Sequence, residues 1–480
     1  MRVHRTATKA AATAATALLL FTGPMALAPA VAVAQPTPAR PNSEPPPVDK
    51  SMRPAIEPPK ADVQYTKNST ACIASATGNQ PLVQRPEAQM LLRLDDAHRF
   101  ATGKGVKIAI IDTGVEKHQL IADRVEAGGD YVVTAENGVV DCDGHGTEVA
   151  GVAASKKDPA SGFVGAAPDA TILAIRQTSD RYEFKPQGGG TDQRSTAGKV
   201  KTLAQAIVNA VDKGANVINI SLTSCGAPTA PSEGERQLQA AIDWAVNTMN
   251  VVIVTAAGNI GSDGTGCSDQ NDNQNVDNVK VVASPPWYKK DVLSVASIGS
   301  QGEPSAFSVW GPWVSIAAPG ENIVSLDPKG TGLTNAKATG TNGALTTIQG
   351  TSFASPYVAG VAALVRERFP NLTARQVMDR LTMTAQHPGN RDGRDHKVGA
   401  GMINPVAALT AELPSEQPGA LRPEAVPLMT SLGPPVHKDL TPLIVALSGT
   451  VIGVGLLLLT LFIVHTMNRN RDRTTTIRRV

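Results

Sequence analysis

Runs of consecutive apolar residues alternate with helix-like stretches between about residues 87 and 412. Four short runs rich in β-branched residues predict buried strands, and two longer stretches with helical spacing predict helices. Continuous apolar strands separated by helices are typical of a parallel sheet covered on both faces, so the pattern predicts an α/β domain. The predicted strands are residues 106–111, 171–175, 217–222 and 251–256, and the predicted helices are residues 203–212 and 238–247.

Residues 1–34 have the composition of a secretory signal peptide. Basic residues at the start precede an apolar stretch over residues 10–21, which Gly23-Pro24 interrupts. Ala32-Val33-Ala34 then places small residues at the two positions that signal peptidase recognises. We therefore expect cleavage after Ala34, the alternative being an uncleaved membrane anchor.

A second long apolar segment lies near the C-terminus. Residues 443–464 form 22 positions without a charge, which is enough for a helix to cross a bilayer. A buried core helix is the alternative, but the segment is apolar on all faces and lies outside the α/β domain. Five arginines follow within residues 465–480, and a basic tail beside a span favours the cytoplasmic side. The sequence thus predicts a single-pass protein of the cell membrane, with most of the chain outside the cytoplasm.

Proline-rich stretches flank the domain on both sides. Residues 35–86 are short of apolar residues and lack the material for an independent folded domain. We expect this N-terminal extension to brace residues 87–412 permanently rather than to act as a removable inhibitor. Residues 413–442 are predicted to form a stalk between the domain and the membrane.

Three polar or glycine-rich stretches inside the domain predict surface loops. The second of them is acidic, and carboxylates bind calcium, but it lacks a defined ligand spacing. We therefore expect a solvated loop there and no metal site. The three stretches are residues 178–202, 261–278 and 328–347.

Composition narrows the function without naming it. The 480 residues carry a formal net charge of +2, and no long basic face suggests nucleic acid as a partner. An even number of cysteines in an exported chain predicts two disulfides and leaves three pairings open. No two cysteines are close in sequence, which disfavours a metal site, and no cofactor is expected. The cysteines are Cys72, Cys142, Cys225 and Cys267.

Three short motifs place an acid, a base and a nucleophile at the ends of predicted elements. Asp112 follows the first predicted strand, at the sheet edge where α/β folds place their functional sites. His145 is surrounded by small residues that let other groups approach its ring. Ser352 stands at the N-terminus of an apolar helix, where free N–H groups favour negative charge. Each residue alone has a structural alternative, such as a helix cap, but the combination favours catalysis.

The chemistry of these residues is that of acyl transfer. A serine hydroxyl becomes a good nucleophile when a base removes its proton. His145 would act as that base, and Asp112 would orient the ring and stabilise its charged form. Asn259, which follows a predicted strand, would donate to the developing oxyanion together with the backbone N–H of Ser352.

These elements together resemble the subtilase family of serine proteases. The resemblance covers about residues 87–412, and acid, base and nucleophile follow each other in the chain order of subtilisin. It implies a subtilisin-like fold, with a mostly parallel sheet flanked by helices on both faces, and a serine endopeptidase activity. The segments that carry the resemblance are residues 112–114, 143–147, 256–259 and 350–356.

Within that family the chain resembles the mycosins, the membrane-anchored subtilases of actinobacterial type VII secretion systems. The resemblance rests on the layout of signal peptide, cysteine-bearing extension, Cys142 close to His145, and C-terminal span. It implies the secretion membrane complex as a partner and a protein or peptide as the substrate. It also implies that Cys72 pairs with Cys142 and Cys225 with Cys267, and the last two follow strands that end at one sheet edge.

One segment departs from the subtilase pattern. Many subtilases have Ser-Leu-Gly-Gly along the substrate cleft, whereas here Ser221-Leu222 is followed by Thr223-Ser224. We expect Ser221 and Leu222 to contact the substrate, while the added side chains narrow the range of peptides accepted. The leading hypothesis is a selective endopeptidase that processes a secretion substrate and supports the complex. The alternatives are a structural subunit with dispensable proteolysis and a sedolisin-like acid peptidase, against which His145 argues.

Overall fold

The structure is a computed structural model, and it divides into two units, Met1–Glu416 and Gln417–Val480. The predicted signal peptide and most of the predicted stalk lie outside the described residues. The structure describes residues 42–75, 82, 84–186, 195–261, 267–271, 278–339, 344–416 and 441–476.

Short strands make up the first unit's sheets. The strands are β1 (Thr66–Lys67), β2 (Lys107–Asp112), β3 (Val125–Asp130), β4 (Thr171–Arg176), β5 (Ser179–Phe184), β6 (Ser195–Ala197), β7 (Val217–Ile220), β8 (Ser224–Gly226), β9 (Val252–Ala256), β10 (Val282–Ser284), β11 (Leu293–Ile298), β12 (Val314–Pro319), β13 (Ser325–Leu326), β14 (Leu333–Thr334), β15 (Ala336–Thr339) and β16 (Ala344–Thr347).

Helices connect and cover these strands, and one long helix forms the described part of the second unit. The helices are α1 (Glu87–Leu91), α2 (Leu94–Ala97), α3 (His145–Ala154), α4 (Val200–Asp212), α5 (Glu233–Asn247), α6 (Thr351–Arg368), α7 (Ala374–Met383), α8 (Pro405–Thr410) and α9 (Thr441–Thr476).

The central sheet confirms the predicted α/β fold. Its strand order is β12-β11-β9-β7-β2-β4-β3, and all its pairings are parallel. Strands β3 and β4 lie on one side of β2, and β7 lies on the other, so the strand order reverses beside β2. In doubly wound sheets a crevice forms at such a point, outside the carboxyl ends of the strands. Asp112, the last residue of β2, lies at that crevice.

Helix α6 runs through the middle of the unit and explains why its sequence is apolar along its whole length. Every residue from Thr351 to Arg366 is buried, because the helix packs against five strands of the central sheet and against α3. An all-round apolar helix is typical of such a central position. Ser352 therefore belongs to a helix that is packed on all sides.

Two of the three predicted loops contain regular structure, so those predictions are wrong in part. In residues 178–202, β5 and β6 pair antiparallel, and β1 pairs with β5. In residues 328–347, β15 and β16 form an antiparallel hairpin. These strands are short and polar, and β1 lies more than a hundred residues from β5, so their local pattern does not reveal them. Much of the remaining predicted loop, residues 261–278, lies outside the described residues.

The N-terminal extension crosses the surface of the first unit without a core of its own. Within residues 42–75 only Ser43 is buried. Its contacts are made with distant parts of the domain: Trp287 donates its indole N–H to the Ser43 carbonyl at 3.1 Å, and Gln239 donates to the Pro46 carbonyl at 2.7 Å. Further along, β1 joins the β5–β6 sheet.

The second unit contains a helix that is long and apolar enough to cross a membrane. The apolar stretch is Ile444–Met467, with a mean hydropathy of 2.4 and no buried residues. The predicted span at residues 443–464 falls within α9, which continues to Thr476.

Candidate active site

Asp112 and His145 form a direct hydrogen bond. His145 begins α3, and its Nδ1 lies 2.7 Å from Asp112 Oδ1. The same carboxylate oxygen accepts from the backbone N–H of Thr113 at 2.7 Å. Asp112 is fully buried, while the imidazole keeps 23% of its surface exposed. The buried acid therefore fixes the ring, whose other side remains accessible.

The groups around His145 act on its pKa in opposite directions. Burial disfavours the charged imidazolium, but the negative charge of Asp112 and its hydrogen bond outweigh burial, so the pKa of His145 is raised above its ordinary value. Lys337 opposes this shift and Glu148 adds to it. The ring also lies beside Phe353, with 5.2 Å between ring centroids.

Asp141 is a positioning residue that sequence reasoning missed. One oxygen accepts from Thr113 Oγ1 at 2.9 Å and Gly144 N at 2.7 Å, and the other accepts from Thr147 N at 2.9 Å and Oγ1 at 2.6 Å. The carboxylate thus joins the end of β2 to the start of α3, on which Asp112 and His145 lie. Burial raises the pKa of Asp141 to about 6, although these donors act in the opposite direction. Its place four residues before His145 was the available signal.

Ser352 lies in the first turn of α6, as predicted, in a backbone arrangement that needs glycine. Gly350, which precedes the helix, has φ of 146°, a conformation that residues with a side chain rarely adopt. A Cβ atom on Gly350 would lie 3.0 Å from Ser352 Oγ and 3.5 Å from Asn259 Nδ2. The serine hydroxyl and the asparagine amide therefore border the same small space.

Asn259 is oriented by the residue next to the nucleophile. Its Oδ1 accepts from the backbone N–H of Thr351 at 2.9 Å and from Thr351 Oγ1 at 3.0 Å. With the carbonyl side of the amide held in this way, Nδ2 is turned toward the space beside Ser352. This is the arrangement required of a preorganised donor for an oxyanion.

Ser221 supports the nucleophile from below. Its hydroxyl donates to the Ser352 carbonyl at 2.8 Å, lies 3.0 Å from Ser355 Oγ and accepts from Asn219 Nδ2 at 2.8 Å. Leu222 is partly buried against the core. The Ser221 side chain is therefore engaged inside the protein, and the predicted contact of these two residues with a peptide would be made by their backbone.

The residues after Leu222 fill space that glycine would leave open. Thr223 Oγ1 donates to the Ala256 carbonyl at 3.1 Å, which joins the β7 and β9 ends. The Cβ position of Gly258 lies 3.1 Å from the Thr223 methyl carbon and 3.4 Å from Cys267 Sγ. The Thr223 side chain and the Cys267 sulfur thus lie close to Gly258, next to Asn259. We call the surface formed by Thr223, Gly258 and the disulfide of Cys267 the floor of the site.

Both predicted disulfides are present in the structure. Cys72 of the extension is bonded to Cys142, three residues before His145. Cys225, which lies on β8, is bonded to Cys267, which lies in the loop after β9. The first bond links the extension covalently to the domain. The second bond links two segments that line the floor of the site.

Comparison with protein families decides the family. The subtilase family (Peptidase_S8) matches residues 103–401, which is more than half of the chain and contains the four site residues Asp112, His145, Asn259 and Ser352. The chain is a subtilase. It is therefore a subtilisin-like serine endopeptidase, as the motifs predicted.

Individual relatives place this subtilase among the mycosins. Mycosin-1 of Mycobacterium tuberculosis is 42% identical over 86% of this chain and 92% of its own length. A solved structure described as a serine protease, MycP1, an essential component of the type VII (ESX-1) secretion system, is 43% identical, covers 77% of this chain and all of its own, and superposes with a TM-score of 0.69. A chain in the structure of an intact ESX-5 inner membrane complex is 34% identical over 88% of this chain and all of its own, with a TM-score of 0.69. The predicted resemblance to mycosins is confirmed.

Proposed function

We propose that this subtilase is a membrane-anchored endopeptidase in which Ser352 attacks the peptide carbonyl, His145 takes its proton and Asp112 holds the ring. The observation that carries the proposal is the 2.7 Å contact of His145 with buried Asp112, next to an α6 N-terminus that carries Ser352. The residues come from separate elements, and the ring of Phe353, the residue after Ser352, lies beside His145 with 5.2 Å between ring centroids.

The proposed mechanism proceeds through an acyl-enzyme. Neutral His145 accepts the Ser352 proton as Oγ forms its bond to the carbonyl carbon, and Asp112 stabilises the resulting imidazolium. Negative charge develops on the carbonyl oxygen, where Asn259 Nδ2 and the Ser352 backbone N–H donate to it. His145 then gives the proton to the leaving amine. In the second half of the reaction His145 takes a proton from water as the water attacks the ester carbonyl, and it returns a proton to Ser352 Oγ as the acid product leaves. These residues are sufficient for the chemistry without a cofactor.

The crowded floor supports a narrow substrate range. Thr223 replaces the open glycine of many subtilases, and its hydroxyl is tied to Ala256. The disulfide between Cys225 and Cys267 limits how far this floor can move. We therefore propose that peptides with small side chains next to the scissile bond are favoured over those with large ones.

The proposed location is the outer side of the cytoplasmic membrane. The signal peptide at residues 1–34 would export the chain, and the apolar part of α9 would retain it. The arginines after the span favour a cytoplasmic tail. Residues 87–412, the proposed peptidase domain, would then stand outside the membrane on the stalk at residues 413–442.

The proposed partner is a type VII secretion membrane complex. Support comes from the mycosin relatives and from the 34% identical chain within the ESX-5 inner membrane complex. A tether raises the local concentration of the protease beside such a complex. The second candidate function is a structural subunit whose proteolysis is dispensable, and the same complex supports it because an assembled chain contributes surface whether or not it cleaves.

Three strains of the native host separate these functions: a gene deletion, Ser352→Ala, and a chain truncated before Leu443. Secretion and recovery of the intact membrane complex are measured in each. We expect Ser352→Ala to restore the complex but not substrate processing, and the truncated chain to restore neither. A Ser352→Ala strain that fails as completely as the deletion would reduce the function to proteolysis alone.

A further inference from the structure

Helix α3 carries one acidic side chain in a fully buried setting. Glu148 follows His145 by three residues, so the two side chains lie on neighbouring positions of one helix face. The Glu148 side chain is only 1% exposed. Burying a carboxylate is unfavourable unless a cation compensates it, so the identity of its partner is informative.

The partner of Glu148 comes from the hairpin β15–β16. Lys337 Nζ lies 2.7 Å from Glu148 Oε2, and the lysine side chain is 25% exposed. The same ammonium lies 5.1 Å from the centre of the Phe353 ring, and that ring lies beside His145. Lys337 therefore bridges a buried charge of α3 and the residue that follows Ser352.

Few charged side chains in the described part of the chain face His145. Asp112 faces it from β2, with Asp141 behind Asp112, while Glu148 and Lys337 face it from α3 and β15. Helix α6 contributes the uncharged Phe353. After β13, the next strand packed on α3, Asp327 is engaged by Ser75 and the Lys329 backbone N–H instead. Lys337 is the cation that acts on His145, and Glu148 is the acid that acts on it besides Asp112.

We propose that Glu148 and Lys337 are a positioning pair for the endopeptidase reaction: Glu148 anchors hairpin β15–β16 against the His145 side of the active site, and the two opposite charges balance each other at the imidazole. This inference rests on the proposed function of Ser352 and His145. The hairpin becomes a wall of the active site, and its placement is coupled to the protonation of the base.

The test uses full-length protein in detergent and a fluorophosphonate probe, which reacts with an activated serine without needing the natural substrate. The rate of Ser352 labelling is measured against pH, because labelling requires neutral His145. In Lys337→Met the lost cation no longer disfavours the imidazolium. Glu148, whose pKa is raised by burial, still favours the imidazolium wherever it is ionised, so the half-maximal labelling rate moves to higher pH. We expect labelling at pH 7 to be about tenfold slower, since a shifted wall also misplaces the reacting groups.

Two companion variants keep the test decisive. Glu148→Gln leaves the cation alone, so its half-maximal pH should move below that of the wild type. The double variant Glu148→Gln/Lys337→Met removes both opposing charges and should return the half-maximal pH toward the wild-type value. Its hairpin amides at residues 336–339 and 344–347 should nevertheless exchange hydrogen faster, because the anchor is gone.

The matched control is Lys107→Met. Lys107 Nζ also lies 2.7 Å from a carboxylate, that of Glu126, and its side chain is 26% exposed, but it lies at the opposite end of β2 from Asp112. It should keep the wild-type pH profile. The inference is overturned if the Lys337 and Glu148 variants keep that profile, or if both shift it in one direction. If the wild-type protein itself does not react, the proposed function fails rather than this inference.

Discussion

The proposed catalytic centre and the N-terminal extension are built in opposite ways. Asp112, His145 and Ser352 each lie at the end of a buried element of the central sheet or its helices, and their neighbours orient them within 3 Å. Residues 42–75 have one buried residue and are held by scattered contacts, a two-residue strand and one disulfide. The first region is positioned by its own core, and the second is positioned by the surface it crosses.

This difference predicts that the proposed catalytic centre determines turnover and that the extension contributes to stability. A change in the centre should abolish turnover and leave the free energy of unfolding nearly unaltered, because one polar atom is lost from a well-packed core. A change in the extension should lower stability and leave turnover nearly unaltered.

The largest effect is expected for Ser352→Ala. Peptide hydrolysis should fall on the order of a million-fold, the size of the loss in subtilisin when its nucleophile is removed. The thermal unfolding temperature should stay close to that of the wild type, because the methyl group of alanine fits the same site. Activity is measured on a mixture of quenched peptides. Turnover at the wild-type rate would mean that another residue is the nucleophile.

Asn259→Asp should cause the next largest loss. The aspartate keeps an oxygen near both donors of Thr351 but replaces the Nδ2 donor with a second acceptor. We expect turnover to fall about 100- to 1000-fold, the loss that removing this donor causes in subtilisin. The rate of peptide hydrolysis at saturation is the measurement. A loss confined to KM would place Asn259 in substrate binding instead.

Activity and stability should depend on pH in opposite directions around the His145 titration. The raised pKa of His145 means that the neutral base forms only above it, so activity should fall about tenfold for each pH unit below it. The folded protein binds this proton more tightly than the unfolded chain, so the stabilisation from the ion pair is complete at low pH and is lost as pH rises through the folded pKa. Rate and unfolding midpoint are measured across the same pH series. In Asp112→Asn the half-maximal pH should fall, and an unchanged value would contradict the assigned contact.

The smallest effect on activity is expected when the extension is unfastened. Cys72→Ser/Cys142→Ser should lower the free energy of unfolding by about 2–4 kcal/mol. Turnover should change little, because Asp141 and Asp112 still hold His145. The control is Cys225→Ser/Cys267→Ser, which loosens the floor beside Asn259 and should alter substrate preference. Equal losses of turnover in both double variants would mean that the extension takes part in catalysis.

The same contrast explains what could be predicted from the sequence. The apolar strands of the core were located to within a residue or two, as at β2 and β9, because burial on both faces leaves a continuous hydrophobic run. The site motifs were recognisable because Gly, Asp, His and Ser occur in tight local groups. Strands β5, β6, β15 and β16 were missed since their partners are distant or polar. Glu148 and Asp141 were missed because their roles depend on tertiary contacts with Lys337 and Thr113.

The most direct test of the account is to label the mature full-length protein with a fluorophosphonate and to identify both the labelled residue and the N-terminus of the labelled chain by mass spectrometry without reduction. The account predicts a label on Ser352 in molecules that begin near Gln35 and still carry the bond between Cys72 and Cys142. A label on another residue, or a label found only in molecules that begin beyond Cys72, would contradict it.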